Sequence, residues 1–281
     1  MGERLIIDNI SYSYHNLEGE TLAINNLSLK VKDSEFVAIV GPSGCGKSTL
    51  LSLIAGLIKP DYGSIKIKDR SEPSNNDFSI ESIDNYNNAT LITPYKVSNK
   101  NIGYMLQTDQ LLEWRTTLEN AALGLEIQDK LADKSYETIN RMLNAYGLGN
   151  FKNSKPSELS GGMRQRVALI RTLLLEPDIL LLDEPFSSLD YQTRLEVADD
   201  IWGIIRKEKK TALLVTHDIS EAISMADRIV VLTSRPGSVK NIIDINLTIE
   251  DKTPFHARSA PEFKDYFNLI WKELDHNDDK K

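Results

Sequence analysis

Phe36-Val37-Ala38-Ile39-Val40 runs directly into Gly41-Pro42-Ser43-Gly44-Cys45-Gly46-Lys47-Ser48-Thr49, and this junction decides the fold. Five consecutive apolar residues without polar alternation describe a strand buried on both faces, the habit of a parallel sheet. Gly41 to Ser48 match GxxxxGK[ST], in which glycines let the backbone curl until successive N–H groups converge on phosphate oxygens. Beyond the loop, Leu50, Leu51, Leu53, Ile54 and Leu57 recur at helical spacing and stop before Pro60. The loop therefore opens a helix over Lys47–Leu57, whose positive N-terminal end faces the anion. Lys47 is placed to reach the β- and γ-phosphates, and the Ser48 hydroxyl to ligate Mg²⁺. Cys45, inside the loop, reads as a small residue tolerated beside the phosphates, since no resolving thiol exists.

Two further stretches complete the chemistry. Ile179–Leu182 is another buried-strand run, and it ends in Asp183 and Glu184. A carboxylate at that edge can hold a water on Mg²⁺, and one residue further on Glu184 can take a proton from an attacking water. Leu159-Ser160-Gly161-Gly162-Met163-Arg164-Gln165-Arg166 begins a helix that runs to Glu176, buried along Val167, Ile170 and Leu174. Ser160 is a natural N-cap, and Gly161 and Gly162 offer backbone N–H groups at a second anion-binding helix start. Two such starts in one chain, far apart in sequence, are hard to explain with a single nucleotide site.

The remaining pattern alternates strands and helices, which predicts a parallel sheet wrapped by helices. Strands are expected at Leu5–Ile10, Ala23–Val31, Gly63–Ile67, Asn101–Leu106, Thr211–Thr216 and Arg228–Leu232. Helices are expected at Lys134–Tyr146, Tyr191–Lys209 and Ile219–Ala226. Ser71–Lys100, rich in Asn, Ser and Asp and lacking Gly, reads as a surface insertion without chemistry, although Phe78, Ile80, Ile83, Leu91 and Ile92 give it some packing material. Asp275–Lys281 reads as a frayed polar tail.

Composition narrows the function classes. The 281 residues carry 33 Lys and Arg against 41 Asp and Glu, a net charge of −8 that argues against nucleic acid as the main partner. One cysteine excludes an internal disulfide framework and a four-cysteine zinc site. No apolar run approaches the roughly 18 residues needed to span a bilayer, and the N-terminus has no secretory pattern, so a soluble, cytoplasmic chain is expected.

The Leu159–Arg166 stretch resembles the signature motif of ATP-binding cassette (ABC) ATPases, and other motifs of that family appear in the expected order across about residues 5–235. The resemblance implies an α/β P-loop NTPase with a mostly parallel core sheet, an N-terminal antiparallel β-subdomain and an inserted α-helical subdomain at about 108–172. The cassette would span residues 1–240, followed by a C-terminal extension over 241–281. It implies MgATP as ligand and two cassettes meeting head to tail, so that Ser160, Gly161 and Gly162 of one cover the γ-phosphate held by the other. By the same resemblance Tyr14 stacks on adenine, and Gln107 senses Mg²⁺ and the attacking water. Ser187-Ser188-Leu189-Asp190 faces the partner, and His217 contacts the γ-phosphate.

Ser234-Arg235-Pro236-Gly237-Ser238, Leu111-Leu112-Glu113-Trp114, and the ending around Arg258 and Pro261-Glu262-Phe263 are similar to the nitrate, sulfonate and taurine importer branch. Glu113 replaces the branch's proline, and the 71–100 insertion is longer than expected there. The implied partners are a second cassette, membrane permease subunits and, for an importer, a solute-binding protein, at the cytoplasmic membrane face. Vitamin-precursor import, an exporter and a soluble non-transport ABC ATPase stay open as alternatives.

Overall fold

A computed structural model describes residues 2–16, 19–68, 78–81 and 102–275. In chain order its strands and helices are β1 (Glu3–Asn16), β2 (Gly19–Lys32), β3 (Phe36–Val40), α1 (Lys47–Ile54), β4 (Tyr62–Ile67), β5 (Phe78–Glu81), β6 (Ile102–Met105), α2 (Thr117–Ile127) and α3 (Asp133–Ala145). There follow α4 (Gly161–Leu173), β7 (Ile179–Asp183), α5 (Tyr191–Lys207), β8 (Thr211–Val215), α6 (Ile219–Met225), β9 (Arg228–Leu232), β10 (Val239–Asp244), α7 (Pro254–Ala257) and α8 (Phe263–Leu274).

These strands form two sheets. One is antiparallel, in the order β2-β1-β4-β5. The other runs β10-β9-β3-β8-β7-β6 and is parallel except for its β10 edge. The expected α/β architecture with an N-terminal antiparallel sheet is what the chain adopts.

Every residue of β3, β7 and β8 is buried, and alternate residues feed two cores. Phe36, Ala38, Leu180, Leu182, Ala212 and Leu214 pack with residues of the helices α4, α5, α6 and α8. Val37, Ile39, Leu181, Leu213 and Val215 face the other way, onto α1 and the antiparallel sheet. Continuous apolar runs are therefore required, because neither face of these strands meets water.

Several boundaries differ from the sequence reading. Strands β1 and β2 are far longer than expected, and register shifts interrupt their pairing. Asn9 and Asn26, both with φ of 47°, lie within these irregular stretches. Helix α1 stops at Ile54 rather than Leu57, because Gly56 turns the chain with φ 70°, and Leu57 is left 66% exposed. Helix α4 ends at Leu173 and α5 at Lys207, with Glu176 (φ 53°) and Lys209 (φ 51°) turning the chain just beyond. Within the polar insertion, Phe78–Glu81 is a strand paired antiparallel with β4, so part of that segment extends the antiparallel sheet. Ile83, Leu91 and Ile92 lie outside the described residues, as does 276–281 of the tail.

Asp227, just ahead of β9, fixes where β9 meets β3. Its carboxylate accepts from the Phe36 N–H at 2.9 Å and from both Arg206 Nη atoms at 2.7 and 2.9 Å. Its own N–H donates to Phe36 O at 2.8 Å. Burial alone would push this carboxyl up, but the Arg206 and Phe36 donors hold it below the usual carboxylate range. A depressed folded pKa contributes stability above the unfolded pKa and loses it as pH falls through the folded value. Asp227→Ala should therefore cost about 1–3 kcal/mol at neutral pH. In urea unfolding the gap from wild type should shrink on acidification below about pH 4, the unperturbed Asp value. A gap that persists in acid contradicts this account.

Candidate functional site

All five parallel strands end along one edge of the sheet. Val40 pairs with Val231 and Ile39 with Val215, while Val215 pairs with Asp183 and Leu182 with Met105. Because the strands end in register, the next residues converge: the phosphate loop after β3, His217 after β8, Glu184 after β7 and Gln107 after β6. Binding at the carboxyl ends of parallel strands is the general habit of open α/β sheets.

There a cavity of about 610 Å³ is lined by Tyr14, Ala23, Ser43, Gly44, Gly46, Lys47, Ser48, Thr49, Glu184, His217 and Arg235. Lys47 is nearly buried, and its Nζ donates to Gly41 O at 2.8 Å and Pro42 O at 3.0 Å. Its stem is thus fixed within the loop that would cradle phosphates. Ser48 Oγ donates to Asp183 Oδ1 at 3.1 Å. Burial pushes the Asp183 carboxyl up, and the neighbouring Glu184 adds to it. At the other end, Tyr14 is 46% exposed, with its hydroxyl 3.1 Å from Thr49 Oγ1 and its ring edge-on to Tyr12.

Glu184 takes a left-handed conformation, φ 45°, stabilised by its N–H donating to Val215 O at 2.9 Å. Such strain in a non-glycine residue persists only where the surroundings enforce it, and it gathers at functional sites. Its Oε2 lies 3.2 Å from His217 Nδ1 and 3.4 Å from Gln107 Nε2, and Gln107 Nε2 also reaches Ser187 Oγ at 3.4 Å. Three side chains from three strand ends thus meet around one carboxylate oxygen.

Other expected site residues stand elsewhere. Cys45 points inward and is buried, and burial pushes its thiol up, so it presents no reactive sulfur to the cavity. Ser160, Gly161 and Gly162 are not among the residues lining the cavity. Ser160 caps α4 by accepting from Met163 N at 3.3 Å, as expected. Gly162, though, is buried rather than offered to solvent. A Cβ on Gly161 would come within 2.8 Å of Leu189 Cδ2, and one on Gly162 within 2.7 Å of Val197 Cγ2. The glycines let the start of α4 pack against the 187–190 loop and α5, a role the sequence reading missed. Asp190 caps α5 by accepting from Thr193 N at 3.1 Å and does not line the cavity.

Sequence reasoning also passed over three features. Tyr104 donates to Asp183 Oδ2 at 3.4 Å, and its phenol is pushed up to about 12 by burial and by that carboxylate. Its place two residues before the expected strand's end was the only available hint. Arg235 lines the cavity, a placement that nothing local in Ser234–Ser238 signals. The segment after Gln107 is gripped from α4: Arg164 Nε bonds Asp109 Oδ2 at 3.0 Å, and Arg171 donates to the carbonyls of Asp109 and Gln110 at 2.7 and 2.8 Å.

Residues 24–187 match the family model described as ABC transporter. An uncharacterised ABC transporter ATP-binding protein of Bacillus subtilis, YtlC, is 41% identical over 96% of this chain and 95% of its own length. The nitrate import ATP-binding protein NrtD of Synechocystis is 34% identical over 95% of this chain and 93% of its own. A dimeric post-hydrolysis structure of the ATP-binding cassette MJ0796, bound to ADP and Pi, is 29% identical and superposes with a TM-score of 0.68, covering 86% of this chain and 99% of that one. The fold and cavity define an ATP-binding cassette. The chain belongs to the ABC transporter family as an ATP-binding, ATP-hydrolysing subunit.

Gly162→Ala tests the packing role assigned to the signature glycines. The added methyl has no room against Val197 and Thr193, so thermal or urea unfolding should show a loss of about 1–3 kcal/mol. Unchanged stability contradicts that role.

Proposed function

We propose that this chain is the energy-coupling subunit of an importer for a small anion or organic solute of the nitrate, sulfonate or taurine type. Among the described residues no helix is long and apolar enough to cross a membrane, so permease subunits would have to carry the cargo. The reading places the cassette peripherally on the cytoplasmic face of the membrane, supplied by a solute-binding protein. In this reading residues 1–240 form the cassette, with 241–281 an extension. The nitrate-import relative supports the cargo class, as do Ser234–Ser238 and the ending of the chain.

The observation that carries the mechanism is the meeting of Gln107, Glu184 and His217 beside the phosphate loop. Ser48, Asp183 and Gln107 offer hydroxyl, carboxylate and amide oxygens, the hard donor set that suits Mg²⁺ bound mainly through substrate phosphates. Bound there, Mg²⁺ would neutralise charge on the β- and γ-phosphate oxygens. Lys47 and the loop N–H groups hold the phosphates, and Tyr14 offers its ring to adenine. Glu184 accepts the proton of the attacking water, while His217 and Gln107 fix the carboxylate that receives it. The N-terminal end of the partner's signature helix closes over the γ-phosphate, and the 187–190 loop meets the partner.

Trp114, 73% exposed, is the apolar group offered to the permease; Leu111 belongs to the core and Leu112 is half-buried. Of the apolar residues in Leu111–Trp114, Trp114 alone is exposed for docking. It is tied to the Gln107 segment, because Leu112 N and O both bond the Asn120 amide and Leu111 N bonds Asp109 Oδ1.

Two outcomes test this reading. Glu184→Gln keeps size and hydrogen bonding but removes the base, so ATP should still bind while turnover falls at least ~10²-fold. Turnover near the wild-type rate contradicts the assignment. Trp114→Ala should spare basal ATPase in the isolated subunit and abolish cargo-stimulated ATPase in the assembled transporter. Loss of basal activity in isolation would instead make Trp114 part of the catalytic cassette.

A further inference from the structure

Arg235 is exposed at the cavity that holds Lys47 and Ser48, and among the described residues no hydrogen bond or ion pair engages its guanidinium. The loop presenting it is fixed. Thr233 N donates to Ser238 O and Ser238 N to Thr233 Oγ1, both at 3.0 Å, closing the loop on itself. Gly237 N donates to Ala23 O at 2.8 Å, and Asn25 N to Gly237 O at 2.9 Å, tying it to β2. A Cβ on Gly237 would lie 2.2 Å from Cys45 O, so the loop backbone rests directly on the phosphate loop. At its other end a Cβ on Gly41 would lie 3.1 Å from Leu232 Cβ. Both ends of the 232–237 segment thus pack on the phosphate loop, at Gly41 and at Cys45, and Arg235 lies between them.

We propose that Arg235 contacts the phosphate chain of the bound nucleotide, as a second cation beside Lys47. A guanidinium is always charged and forks onto phosphate oxygens, and here it needs no partner withdrawn before it binds one. The Lys47 ammonium is engaged by Gly41 O and Pro42 O, so a polyanionic ligand gains from a further cation held by a braced loop. Anchoring at Gly41 and Cys45 puts the contact at the phosphates rather than at the Tyr14 end where the base would lie. This assignment rests on the phosphate-loop reading of the site.

The test compares equilibrium binding of MgATP, MgADP and adenosine by the full-length chain, its Arg235→Ala and Arg235→Lys variants, and Lys47→Ala. Arg235→Ala should weaken both nucleotides about tenfold, the loss expected for a partly exposed charge-assisted contact, and leave adenosine unchanged. Arg235→Lys should recover part of the loss, and added salt should narrow the difference between wild type and Arg235→Ala. The melting temperature of Arg235→Ala without nucleotide should equal that of wild type, because no protein contact is lost. ATP affinity within about twofold of wild type in Arg235→Ala overturns the proposal, given the size of such contacts. An equal loss for adenosine, or a lowered nucleotide-free melting temperature, overturns it too, by making Arg235 a base contact or a structural group. Lys47→Ala separates the two levels. If it binds ATP as wild type does, the phosphate-loop reading fails; if it loses ATP while Arg235→Ala does not, only the second cation fails.

Discussion

In-register pairing of β6, β7, β8, β3 and β9 is the constraint on which the rest of the molecule depends. Apart from Asp183 at the end of β7 and Tyr104 in β6, the site's groups lie just past the strands. Because they end together, residues 192 positions apart in sequence, Ser43 and Arg235, share one cavity. A one-residue slip would turn every inward side chain outward and move a whole motif by a residue's rise. Burial on both faces makes such a slip costly, and Asp227, bonded to Phe36 and Arg206, secures the β3–β9 edge. The site is therefore as well defined as the core beneath it.

The same frame sets which groups of the proposed two-chain site one chain brings together. Its phosphate loop, carboxylates and His217 converge on one edge, while Ser160 stands exposed outside that cavity at the start of α4, whose Gly161 and Gly162 pack against the 187–190 loop and α5. Arg164 and Arg171 join α4 to the segment just after Gln107. A displacement of Gln107 as the γ-phosphate leaves would be passed to the signature helix through these bonds, and to Trp114 through the Asn120 bonds to Leu112. The links are short, polar and partly buried, which favours a concerted shift over independent loop motion.

Much of this was legible in the sequence because the signals were local. Phe36–Val40 and Ile179–Leu182 announced buried strands by lacking polar residues, and both lie where the runs predicted. Glycine-rich helix starts and a strand ending in two carboxylates named the phosphate loop, Asp183 and Glu184 without knowledge of the tertiary fold. What escaped was set by distant contacts. The length of β1 and β2 depends on pairing that tolerates irregularities near Asn9 and Asn26, which no periodicity predicts. Leu57 fits a helical stripe and yet lies past the turn at Gly56. The signature glycines read as anion-binding, but their neighbours Leu189 and Val197 arrive from other elements. Arg235 becomes a site residue only because its loop folds back at Gly237 onto Cys45, 192 positions before that glycine.

The central claim is that a working site is divided between two chains, with Lys47 from one and Ser160 from the other. Mixing a Lys47→Ala chain with a Ser160→Arg chain measures this directly. Each variant alone should form pairs with no complete site and show almost no ATPase. Random pairing puts one intact composite site in mixed dimers, so activity should return to at most about a quarter of the wild-type rate. If the mixture stays as inactive as its components while mixed dimers demonstrably form, or if Ser160→Arg alone hydrolyses ATP normally, the divided site is contradicted.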